Sequence, residues 1–162
     1  MSVELYPVIS TEEDLRELLE EGDFVEMALE EEAIAVEELP TQTYISGELV
    51  ACVNQFSSLL PSGTRAGLDQ FLDVVCWDYR RKPQPLDSPF QPEDIHCSCS
   101  PSTCARLASA LAAIDESAVR EHFRSDERYV TTVDFFLDYL AAWRDIFQRA
   151  ADSEQFVFAF VR

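Results

Sequence analysis

The residues best suited to chemistry in this chain fall in one short run, HCSCSPSTC, which holds His96, Cys97, Cys99 and Cys104. An imidazole and three thiols within nine residues could in principle hold zinc, which takes nitrogen and thiolate ligands tetrahedrally. The spacing argues against that use. His96 and Cys97 are adjacent, so on a strand they point to opposite faces. Only Cys97 and Cys99 would share a face, with Cys104 a helical turn beyond a cap. A Cys-x-Cys pair is also tighter than the usual knuckle of structural zinc sites. A second chemistry is nucleophilic: Cys104 near a helix N-terminus, with His96 close by, could be an activated thiol. The surplus of carboxylates opposes a thiolate. The expectation is therefore that these cysteines pack as small hydrophobes, with a zinc or thiol centre at His96, Cys97, Cys99 and Cys104 as the alternative. The other histidine, His122, lies among Arg120, Glu121 and Arg124 and reads as a surface residue.

Carboxylates are the other abundant chemical group. The 162 residues carry 31 Asp+Glu against 12 Lys+Arg, a formal net charge of −19. The runs Glu12–Asp14, Glu20–Asp23 and Glu30–Glu32 could each supply a general acid and base, but so many acids produce such pairs by chance. No Asp-x-Asp-x-Asp-Gly calcium loop occurs, nor any GxGxxG, Walker, HExxH or GxSxG motif. A field of this sign repels phosphate backbones and anionic bilayers, so direct nucleic-acid binding and membrane-surface binding are not expected. The charge is also polarised. Residues 1–50 hold fifteen acids and one base, Arg16, for −14, and the remaining residues total −5. A one-signed surface speeds association with a complementary patch. Glu20, Glu21, Glu26, Glu30, Glu31 and Glu32 are the candidate contacts for a basic partner.

These groups need elements to position them. Residues 3–9 read as a strand, with Pro7 favouring an edge. Ser10 with Glu13 has capping-box spacing for a helix bearing Leu15, Leu18 and Leu19 and ending at Gly22. Residues 24–38 could form a second helix ended by Pro40, and 47–60 and 64–79 show helical stripes. Four prolines within 80–94 make that stretch a surface loop, and Arg80, Arg81 and Lys82 read as a solvated helix end. Ile95–Cys99 is a strand, Ser100 an N-cap, and Pro101 occupies the first helical position. A short helix is expected around Ala118–Phe123. Thr131 or Thr132 then caps a long helix over about 133–151, whose stripe is Phe136, Leu140, Trp143, Phe147 and Ala150, widened by Tyr139 and Ile146. The closing run QFVFAFVR is apolar on both faces, as a central strand requires.

The outline is α+β: a small mixed sheet with the C-terminal strand central, covered by several helices, in a single domain over 1–162 with the Pro-rich loop near 80–94. No basic n-region precedes an apolar core at the N-terminus, and no stretch nears the roughly 20 apolar residues of a membrane span. Five cysteines, an odd number, fit reduced thiols in the cytoplasm better than a disulfide framework.

The run SPSTCARLASALAAIDESAVREHF resembles the segment of YfbM-like proteins in which a Ser/Thr-Pro-capped helix leads through an acidic turn into a short helix ending in Phe. FFLDYLAAWRDIFQRAADSEQFVFAFVR is similar to that bacterial family's aromatic helix, turn and final strand, and the N-terminal strand followed by STEEDLRELL fits its opening. The matches cover about half the chain, and Trp77 alone hints at the family's Trp-containing helix in the middle. The resemblance implies an α+β cytosolic domain and implies no activity. The functional expectation is a non-enzymatic acidic protein that docks on a basic protein surface, of the immunity or regulatory type. The alternative is a small metal- or thiol-dependent enzyme or sensor.

Overall fold

The final strand sits inside the sheet because nothing along it is polar. In the computed structural model, which describes residues 4–14, 45–46, 56–75, 95–127 and 130–161, four strands form one sheet. They are β1 (Glu4–Ser10), β2 (Ile45–Ser46), β3 (Ile95–Cys99) and β4 (Phe156–Val161), in the order β2-β1-β4-β3. β4 pairs with β1 from Leu5↔Val161 to Ser10↔Phe156 and with β3 from Ile95↔Phe160 to Cys99↔Val157. Val157, Phe158 and Ala159 are fully buried, so both faces at the centre of the sheet are covered.

The sheet is antiparallel at every described pairing, not mixed. β1 and β3 do run in the same direction, but β4 inserts between them and opposes both. β2, unforeseen in the sequence, pairs with Glu4 and Leu5 among the described residues. β1 thus lies between β2 and β4 and is not the edge strand that Pro7 favoured. β3 holds one irregularity: Ile95 faces Phe160 while Cys97 faces Ala159, which leaves His96 as the extra residue of a bulge.

Capping decides where the helices start. Ser10 does not cap the first one, because pairing with Phe156 keeps it in β1. Thr11 takes that role, its Oγ1 accepting from Asp14 N at 3.2 Å, and residues 12–14 are helical. Ser10 is left buried, its hydroxyl with no partner among the described residues. Helix α1 (Ser62–Val75) follows a helical turn at 56–59. Helix α2 (Pro101–Ala112) begins as expected, with Ser100 Oγ accepting from Thr103 N at 3.3 Å and Pro101 at the first position. Asp115 caps α3 (Glu116–Phe123), accepting from Ala118 N at 3.0 Å. Helix α4 (Val130–Asp152) starts ahead of Thr131 and Thr132, so these lie in its first turn and not at its cap. The remaining sequence expectations, including the helices over 15–22 and 24–38, most of 47–60 and the loop at 80–94, lie outside the described residues.

The stripe of α4 is the centre of the core. Phe136, Tyr139, Leu140, Trp143, Ile146, Phe147 and Ala150 are all buried. Trp143 meets Phe71 of α1 at 5.9 Å and Phe147 at 5.4 Å between ring centroids. Phe56 joins Phe123 at 4.2 Å and Phe136 at 4.9 Å, fastening the turn at 56–59 to α3 and α4. Each such ring contributes roughly 1.5–3 kcal/mol by leaving water. Leu107, Ala108 and Leu111 of α2 close the layer between α4 and the sheet edge.

Candidate functional site

The sheet and α2 bring Cys99 and Cys104 together in the core. Both are reduced and fully buried, and the Cys104 thiol donates to the Cys99 carbonyl oxygen at 3.6 Å. That contact ties the end of β3 to the first turn of α2. The side chains of His96 and Cys97 lie outside the described residues. Among the described residues no three His, Cys, Asp or Glu side chains are grouped to hold a metal ion. His122 is exposed, as expected. Its Nε2 lies 3.0 Å from the Leu59 carbonyl oxygen, and its ring stands edge-on to Phe123. It satisfies a carbonyl at the end of the turn at 56–59.

Glu20, Glu21, Glu26, Glu30, Glu31 and Glu32, the expected partner contacts, lie outside the described residues. The acidic side chains that are described are all exposed or half-buried. The arginines among them are largely engaged by their own neighbours. Arg65 pairs with Asp69 at 3.1 Å, Arg124 with Glu121 at 3.3 Å, Arg144 with Asp145 at 3.4 Å, and Arg120 of α3 with Asp134 of α4. Arg106 instead donates to Gln70 at 3.1 Å. Glu13, Glu116, Glu127, Asp138 and Glu154 make no ion pair among the described residues, so the outward field stays negative.

That field is strongest in evidence at Arg120. Its hydrogen bond to Asp134, and the nearby charges of Asp134, Glu116 and Asp138, hold the guanidinium above its ordinary pKa despite some desolvation. Beside it, a groove of about 450 Å³ runs between α3 and α4. Phe123 and Val133 form its apolar floor, and Arg120, Glu121, Arg124 and Asp134 its charged rim. Sequence reading missed this groove. Its signal was there in two i,i+4 pairs, Arg120 with Arg124 and Asp134 with Asp138, each on one helix face. Phe135 was also legible: it falls off the Phe136–Leu140–Trp143–Phe147 stripe and is 65% exposed.

Comparison with known protein families, with curated proteins and with solved structures finds no match to this chain. No helix among the described residues is long and apolar enough to cross a membrane.

Proposed function

We propose that this is a non-enzymatic acidic interaction protein that docks on a basic surface of another protein, as an immunity-type inhibitor or regulator does. The observation that carries this reading is the way the charge is spent within the chain. Most described arginines are bound by neighbouring acids, while carboxylates such as Glu116 and Asp138 stay exposed without an ion pair among the described residues. A surface of this kind steers a cationic partner and repels nucleic acid. The N-terminal fifty residues, Glu20 to Glu32 among them, contribute most of the chain's negative charge. Reduced, buried Cys99 and Cys104 support a working place in the cytoplasm. The YfbM-like resemblance assigns no substrate and is compatible with this role.

The test is capture of partners from the native lysate at low and at high salt. A basic protein held at low salt and released as salt rises supports docking. Recovery of no partner at either salt overturns it.

A further inference from the structure

Three features that are separate in the sequence converge on one side of α3 and α4. The first is the groove over Phe123 and Val133, about 450 Å³ in volume, within the range of sites that accept a ligand side chain or small molecule. The second is Phe135, the most exposed of the large hydrophobic residues described. The third is the local charge, where four acids, Glu116, Glu121, Asp134 and Asp138, accompany two cations, Arg120 and Arg124. On α4 these groups form a continuous band. Asp134 borders the groove, Asp138 lies one turn along the same face, and the exposed Phe135 is the i,i+3 neighbour of Asp138. The face of an aromatic ring and a carboxylate both attract a guanidinium or ammonium group. A bare ring framed by acids is therefore complementary to a cation and unfavourable to an anion.

We propose that this band is the docking surface for a basic segment of a partner protein that also carries an apolar side chain. An arginine or lysine of the segment stacks on Phe135 with its charge against Asp138. The apolar residue beside it enters the groove and covers Phe123 and Val133. Arg120 and Arg124 do not oppose this approach, because Asp134 and Glu121 already neutralise them. The occupant is basic on charge complementarity alone: a second copy of this chain, itself at −19, would be repelled. The inference rests on the proposed docking function and gives it an address in the C-terminal half.

The experiment is an NMR titration of the full ¹⁵N-labelled chain with a blocked synthetic peptide that alternates leucine with pairs of arginine. The expected result is a cluster of amide shifts at Arg120, Glu121, Arg124, Asp134, Phe135 and Asp138. Phe135→Ala should weaken the peptide about fivefold, as loss of a cation–ring contact does. Phe135→Tyr should preserve affinity, and Phe135→Leu should behave as alanine does. Asp138→Asn should weaken binding more than Asp145→Asn, which removes the same charge about two turns further along α4. Shifts confined to other parts of the chain, with these variants silent, overturn this surface and leave the basic-docking reading standing. Absence of any binding to the peptide overturns both.

Discussion

Gly67 of α1 lies so close to α2 that a Cβ built on it would stand 2.9 Å from the carbonyl oxygen of Ala110. The obstacle is backbone, which cannot swing aside as a side chain can. Two effects then compete in Gly67→Ala. Alanine gains roughly 1 kcal/mol of helix propensity over glycine. Forcing the helices apart costs about 1–3 kcal/mol as overpacking does. The clash wins, and chemical denaturation should show Gly67→Ala to be less stable than the parent. A gain in stability would mean that α1 and α2 pack less closely than described.

Cys104→Ala should cost about 1 kcal/mol, the scale of a small buried side chain and its weak bond to the Cys99 carbonyl. Alkylation of the native protein followed by peptide mapping should leave Cys99 and Cys104 unmodified until denaturant is added, since both are fully buried. Rapid labelling of Cys104 in the folded state would revive a reactive-thiol role.

Arg120→Gln should lower the melting temperature at low ionic strength and leave it close to the parent at high salt. Removing that cation leaves Asp134, Glu116 and Asp138 facing one another without it. Their repulsion is exposed to solvent and is therefore screened by ions. Thermal melts across a salt series read the effect, and an equal loss at all salts would assign Arg120 a packing role instead.

The legible parts of the fold were those in which short-range chemistry and long-range packing agree. Ser100 with Pro101 announced α2, and the spacing from Phe136 to Ala150 announced the buried face of α4. The doubly apolar run from Phe156 announced an interior strand. Where the two disagreed, packing prevailed. Ser10 has a capping-box partner in Glu13, yet the ladder with β4 holds it in β1 and hands the cap to Thr11. The strand directions were not written locally either: β1 and β3 run alike, and only the insertion of β4 makes each pairing antiparallel. The His96/Cys97/Cys99/Cys104 run drew attention because rare residue types stand out in a sequence. The α3–α4 groove did not, because Arg120, Asp134 and Phe135 are common residues whose meaning arises only when two helices meet.

The central claim is that the negative surface is an attachment surface, and the most direct measurement is the association constant of the purified protein with its captured partner as a function of salt. Between ionic strengths of about 0.01 and 1 M the screening length falls from about 30 to about 3 Å. Docking through carboxylates predicts an association constant that drops by more than about tenfold over that range, with most of the loss in the association rate. An association constant and rate that do not change with salt would contradict the account.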